Sequence, residues 1–356
     1  MSSDARTVRV FVGTYTQTTS KGIYVYDVDT ATGVMEYVSH VGGITNPSFL
    51  VLTPDARFLY AVGETGDPHG GVFAYAVDGS GTLTPLNNQS SGGAGPCSID
   101  VHRSGKAVLA ANYGGGSVSS FPVNDDGSLG EAASVIQHIG SSVDQSRQQE
   151  PHAHMIRHDL DYNFVFSPDL GTDKVMIYAL DPDTAVLTPH GEASVPPGSG
   201  PRHIEFHPNR KFAYVINEMG NTITAFAYDG SAGTLTAIET VTTLPDGYDE
   251  VSHTADIHIT DDGRYLYGSN RGHDSLAMYA VDGDSGRLTL LGIVPTGGEN
   301  PRNFGIDPTG SFVLCGNQSS DTVTYHRLDP DTGLLHLSGV VAEIPMAVCL
   351  KMVVLD

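Results

Sequence analysis

The stretch PSFLVLTPDARFLYAV, residues 47–62, decides how the whole chain reads. It opens at Pro47, runs through an apolar segment to a turn at Thr53, Pro54 and Asp55, and resumes as a second apolar segment at Phe58. Short β-branched and aromatic runs broken by Pro, Asp and Gly are strand and turn signals. Equivalent segments start at Pro96, Pro151, Pro201, Thr254, Pro301 and Pro345, at steps of 44–55 residues. A repeat of roughly that length implies a propeller or a stacked array.

Each unit carries four strand signals. Strand a runs from the anchor to a turn such as TPDAR, HPNRK or TDDGR. Strand b follows (FLYAVGE, FAYVINE, YLYGSNR), then c (GVFAYAVD, TITAFAYD, SLAMYAVD) and d (TLTPLN, RLTLLG). Four antiparallel strands per unit is the pattern of a β-propeller blade. The chain starts with a b-type strand, VRVFVGT, and ends with a lone a-type strand, AVCLKMVVL. The two ends are therefore expected to share one blade, closing the ring and removing exposed sheet edges. The expectation is an all-β, seven-bladed β-propeller in a single domain over residues 1–356. One long insertion, at residues 137–150, precedes the third anchor.

The bulk composition narrows the partners. Among 356 residues, 41 Asp and Glu face 18 Lys and Arg, for a net charge of −23. Such a surface repels phosphate backbones and anionic lipid, so neither nucleic acid nor a membrane is an expected partner. Ordinary solubility accounts for the acid excess, and a salt-rich habitat is left open. Cys97, Cys315 and Cys349 are too few and too scattered for a disulfide framework or zinc site, and are expected as buried free thiols. The N-terminal segment MSSDARTVRV has no long apolar run, and a cytoplasmic protein is the expectation.

Superposing the repeats isolates residues that depart from the pattern. The position after each anchor holds Ser48, Cys97, His152, Arg202, Ala255, Arg302 and Met346. Two residues further lie Leu50, Ile99, His154, Ile204, Ile257, Phe304 and Val348, where His154 stands alone among apolar residues. The end of strand b holds Tyr15, Glu64, Tyr113, Asp169, Glu218, Arg271 and Gln318, polar throughout. Strand b runs antiparallel to strand a, so these rings share one mouth of the channel. Arginines gathered at a concave mouth in an acidic protein suit a small carboxylate or phosphate ester. His152 and His154 share a strand face, but no third ligand is evident and no metal is expected.

The segments RQQEPHAHMI, GPRHIEFHPNRKFAYVINEMGNTI, ADIHITDDGRYLYGSNRG and NPRNFGIDPTGSFV together resemble the lactonase family of seven-bladed propellers. That family includes the bacterial propeller-type 6-phosphogluconolactonases and the fungal 3-carboxy-cis,cis-muconate lactonising enzyme. The resemblance implies hydrolysis of an anionic sugar lactone, most simply 6-phosphogluconolactone or a related aldonolactone, with no cofactor. It also implies catalytic roles for a His, two Arg and a Glu, which match His152, Arg202, Arg271 and Glu218. The expected roles are His152 as general base, with His154 as second candidate, and Arg202 and Arg271 on the oxyanion or the substrate anion. Glu218 is expected to orient the His or to act as the acid. Tyr113, His154, His203, Asp256, Arg302 and Gln318 are expected to bind substrate. A muconate-type cycloisomerase and a non-enzymatic binding propeller remain the alternatives, because fold does not choose the chemistry.

Overall fold

Strand b of each unit is buried on both faces along nearly its whole length, and this decides how the units pack. Phe212–Asn217 and Phe312–Asn317 are buried along their whole length, whereas the d strand Thr234–Thr242 has no fully buried residue. A strand that is apolar on both faces needs cover on both. Neighbouring sheets supply that cover when they stack face to face around an axis. The structure, a computed structural model, describes residues 6–66 and 70–355. Over these residues it forms seven four-stranded antiparallel sheets, each ordered a-b-c-d from the inside outwards.

The inner strands, numbered here as blades 1 to 7, are Leu50–Leu52, Pro96–Val101, Arg157–His158, Pro201–Phe206, His253–Ile259, Pro301–Ile306 and Ala347–Leu355. Successive blades touch around the channel, and blade 7 returns to blade 1. Blade 7 is closed by the two ends of the chain. Its inner strand pairs with Thr7–Thr14, from Thr7 opposite Leu355 to Thr14 opposite Ala347. Aromatic side chains fill the seams. Between blades 3 and 4, Phe166, Phe206 and Tyr228 meet edge to face at 5.0–5.6 Å. Each such burial contributes about 1.5–3 kcal/mol.

The pairing corrects two of the seven anchors. In blades 2, 4, 6 and 7 the residue before strand a has a left-handed backbone (Gly95, Gly200, Asn300 and Met346), and in blade 1 the residue before the Pro47 anchor, Asn46, does too. In blade 7 that residue is Met346, so the strand starts at Ala347 and not at Pro345. Val348 then stands level with Arg202, in the place expected for Met346. In blade 3 the bridge Ala153–Asp169 takes the place of Pro201–Asn217. The amide of Leu170 donates to the His152 carbonyl, as Glu218 does to Gly200. Strand a of blade 3 therefore enters two residues later than Pro151 suggests. His154 stands level with Arg202, and Ile156 fills the apolar position where His154 had looked anomalous. Leu170, not Asp169, ends strand b. Asp169 instead turns into the protein, where it accepts from His138 Nδ1 (2.6 Å) and from the His152 amide (2.9 Å).

Candidate active site

With the register corrected, one level of the channel carries Ser48, Cys97, His154, Arg202, Ala255, Arg302 and Val348. Above it, the ends of the b strands supply Tyr15, Glu64, Tyr113, Glu218, Arg271 and Gln318. An inner cavity of about 270 Å³ is lined by Tyr15, Glu64, Cys97, Tyr113, Arg147, His154, Glu218, Arg271 and Arg302. It opens into an outer part of the same mouth, which adds Gln318, Gln17 and Asn300.

Glu218 is the hub of the inner cavity. Its Oε1 accepts from Arg147 at 2.8 Å, and its Oε2 pairs with Arg271 at 2.8 Å and Arg202 at 3.1 Å. Burial opposes its charge, but Arg271, Arg202 and Arg147 outweigh it and hold the carboxyl well below its ordinary range. A carboxylate so held is a poor proton donor, and neither oxygen touches a histidine among the described residues. The expected role of Glu218 as acid or histidine orienter therefore does not fit. What it does is fix three guanidinium groups.

The arginines differ in what they leave free. Arg202 is 2% exposed and lies behind Glu218, outside the cavity lining. It donates to the Ala255 carbonyl and to His203 Nε2 (3.1 Å). Burial, with Arg302 and Arg271 nearby, pushes it down to about 9, which leaves it charged at neutral pH. Arg271 faces the cavity; its Nη2 serves Glu218 and the Thr254 carbonyl, and its buried Nε has no partner among the described residues. Arg302 packs over the Tyr15 ring at 5.5 Å and makes no ion pair or hydrogen bond among the described residues. Glu64 is instead occupied by Tyr15 Oη (2.9 Å) and Ser48 Oγ.

The two histidines exchange their expected places. His154 is buried and lines the cavity, 5.4 Å from the Tyr113 ring and 3.8 Å from Cys97 Sγ. Burial, then the charges of Arg202, Arg302 and Arg271, push it well below the ordinary value, so it is a neutral imidazole at pH 7. His152 lies outside the lining, stacked on Tyr113 at 4.6 Å with Nδ1 at 3.0 Å from the Tyr113 carbonyl. Burial raises the Cys97 thiol far above its ordinary value, which makes it inert.

His203 and Asp256, expected to bind substrate, lie one level deeper and do not line the cavity. His203 Nδ1 donates to Asp256 Oδ1 (2.7 Å), whose other oxygen receives Asn303 Nδ2 and His258 Nε2 (3.0 Å). Because Arg202 can only donate, His203 Nε2 must accept, and the ring is held neutral. Burial and Arg202 lower it to about 3. These residues brace Arg202 from below. Arg147 was missed by superposition because it lies on the insertion and has no counterpart in other blades. Its place in RQQEPHAH was the available signal.

Residues 9–352 match the protein family described as lactonase, 7-bladed β-propeller. The chain is 40% identical over 305 residues to the 6-phosphogluconolactonase of Bacillus subtilis, covering 85% of this chain and 86% of that one. It is 36% identical over 314 residues to the 6-phosphogluconolactonase of Formosa agariphila, covering 86% and 88%. Among solved structures, it resembles the periplasmic gluconolactonase of Pseudomonas aeruginosa at 34% identity and a TM-score of 0.92, covering 98% and 99%. The family match over nearly the whole chain, on the fold described above, shows that this chain belongs to the seven-bladed β-propeller lactonase family.

Proposed function

We propose that the chain hydrolyses sugar lactones in the mouth cavity, most simply a phosphorylated aldonolactone such as 6-phosphogluconolactone. One observation carries the reading: a neutral, buried imidazole, His154, shares a small cavity with guanidinium groups whose donors are unspent. Water attacks the lactone carbonyl as His154 Nε2 or Nδ1 takes its proton. Arg271 faces the oxygen that gains negative charge, where a preorganised donor is worth most. Collapse of the tetrahedral intermediate breaks the ring C–O bond, and the imidazolium returns its proton to the leaving alkoxide. Glu64 and Gln318 are placed to bind sugar hydroxyls. The names of the relatives support the substrate class. A cytoplasmic setting belongs to the same reading and is open to cell fractionation, the more so because the Pseudomonas relative is periplasmic.

The test is the rate of δ-lactone hydrolysis above the spontaneous reaction, across phosphorylated and unphosphorylated aldonolactones, for wild type and His154→Ala. Acceleration by wild type and its loss in the variant support the proposal. No acceleration with any lactone overturns it. Ultraviolet loss of a muconate diene in that case would favour the cycloisomerase.

A further inference from the structure

We propose that Arg147, carried on the arch between blades 2 and 3, pairs with Arg302 to grip the phosphate of the substrate and so selects phosphorylated lactones over neutral ones. This rests on the reading above that the cavity takes a sugar lactone.

The arch reaches the mouth because it is longer than its counterparts. It spans residues 138–152, up to the bridge at Ala153, against 91–95, 195–200, 243–252 and 296–300 in other blades. It is also firmly held. Gln148 is fully buried, and its Nε2 donates to the Leu170 carbonyl at 2.8 Å. The Ser142 amide donates to the Gln148 carbonyl, and the Gln148 amide to the Asp144 carbonyl, both at 2.9 Å. Ser142 Oγ donates to Asp173, while Asp144 Oδ1 accepts from the amides of Ser146 (2.7 Å) and Arg147 (3.0 Å). The backbone of Arg147 is thus fixed, and its side chain, 35% exposed, turns inward.

Arg147 spends one nitrogen on the protein. Nη2 donates to both Glu218 Oε1 (2.8 Å) and Tyr113 Oη (3.0 Å). Among the described residues its Nε and Nη1 have no protein partner, and Arg302 has no hydrogen-bond or ion-pair partner. A guanidinium carries five N–H donors in a planar fork that matches phosphate oxygens. Two partly open forks on one cavity exceed what a lactone carbonyl needs once Arg271 faces the oxyanion. The charge count agrees. Arg147, Arg271 and Arg302 line the cavity against the carboxylates Glu64 and Glu218, and Arg202 neutralises Glu218 from behind, an excess of positive charge that a phosphate dianion matches and a neutral sugar does not. Arg147 is also the cation on Glu218 Oε1, so it shields that oxygen from an incoming anion.

The experiment measures kcat and KM for phosphorylated and unphosphorylated gluconolactone, with melting temperatures, for wild type, Arg147→Met, Arg147→Lys and Arg302→Met. Arg147→Met is expected to raise KM for the phosphorylated lactone about 30-fold, the size of a lost charge-assisted contact. Any rise in KM for the neutral lactone should be at least about 10-fold smaller, because that substrate has no phosphate for Arg147 to grip. Arg147→Lys keeps the charge without the fork and should fall between. Inorganic phosphate should inhibit wild type competitively and Arg147→Met more weakly. Equal effects on both lactones would mean that Arg147 merely ties the arch to Glu218, and would overturn the proposal. If wild type hydrolyses both lactones without preference, the phosphate clamp falls and the lactonase reading stands. If wild type hydrolyses neither, both fall.

Discussion

The two mouths of the channel both gather charge, yet they dispose of it differently. At the lower mouth a cavity of about 510 Å³ is lined by Arg157, Glu205, His258 and Lys351, among others. There Arg157 pairs with Glu205 at 2.6 Å, and His258 lies 3.0 Å from Asp256 and 3.6 Å from Glu205. Lys351 sits over the Phe49 ring at 4.6 Å. At the upper mouth, Arg302 and most of the Arg147 fork have no protein partner among the described residues, and Arg271 Nε is buried without one. A cluster of charges is therefore a weak sign of function. Unspent donors around a cavity are a stronger one, because leaving them unpaired costs stability unless a ligand completes them.

The sharpest way to break this comparison uses the two histidines at the upper mouth. His154→Ala should lower kcat for the lactone by about 10²–10⁴, the range for loss of a general base. His152→Ala should cost less than about 10-fold, since that ring touches the site only through Tyr113. Steady-state kinetics on both variants checks this, and the reverse order would return the base to His152. A second readout follows from charge. The neutral form of His154 is the active one, so kcat/KM for an unphosphorylated lactone should rise with pH through a limb below the ordinary histidine value and then level off. A limb at or above about 6.5 would remove His154 from the role.

Matched carboxylate changes at the two mouths come next. Glu218→Gln weakens the hold on three arginines in the cavity and should lower kcat/KM about 100-fold. Glu205→Gln strips the lower mouth of the anion shared by Arg157 and His258. It should cost about 2–4 kcal/mol of stability, as loss of one partner leaves buried charge uncompensated. Activity of the folded protein should change less than about 2-fold, because His203 and Asn303 still hold Asp256 beneath Arg202. Urea unfolding and steady-state kinetics on both variants separate the two effects. Loss of activity without loss of stability in Glu205→Gln would mean that the lower mouth takes part in the chemistry.

The seven-bladed ring was legible in the sequence because strand and turn signals recur at a nearly constant step, and a repeat supplies its own alignment. The errors fell where backbone geometry overrides the local pattern. Pro345 resembles the other anchors, while Met346, in the left-handed conformation usually given to Gly or Asn, does not advertise the turn it makes. In blade 3 the inner strand is reduced to the bridge at Ala153 and the pair Arg157–His158, so Pro151 offers a plausible but early start. That slip made His154 look like a polar intruder in an apolar ring, when it lies level with Arg202. The cluster of Arg271, Arg302, Glu218 and Tyr113 could be found by superposition. The burial of Arg202, His203 and Asp256 below it could not, because one-dimensional register says nothing of depth. Arg147 was invisible to the repeat for the opposite reason, since an insertion has no equivalents to depart from.

The smallest expected effect tests whether the Arg157, Glu205, His258 and Asp256 cluster at the lower mouth is as fully paired as its geometry indicates. His258 is edge-on to Phe304 at 4.9 Å, with Asp256 and Glu205 on its nitrogens and Arg157 and Lys351 lining the same cavity. Burial disfavours its charge, but Asp256 and Glu205 prevail and raise it to about 9. The folded value therefore lies above the unfolded one of about 6.5. By linkage, the extra stability is fully present below about pH 6.5 and is lost as pH rises through 9. Its size should be about 1–3 kcal/mol. Urea unfolding of wild type and His258→Gln at pH 6, 8 and 9.5 measures it. The gap between the two proteins should be widest at pH 6 and narrow by that amount at pH 9.5. A gap that stays constant would mean that the fold does not raise the His258 pKa, and that Asp256 and Glu205 leave its charge without net stabilisation.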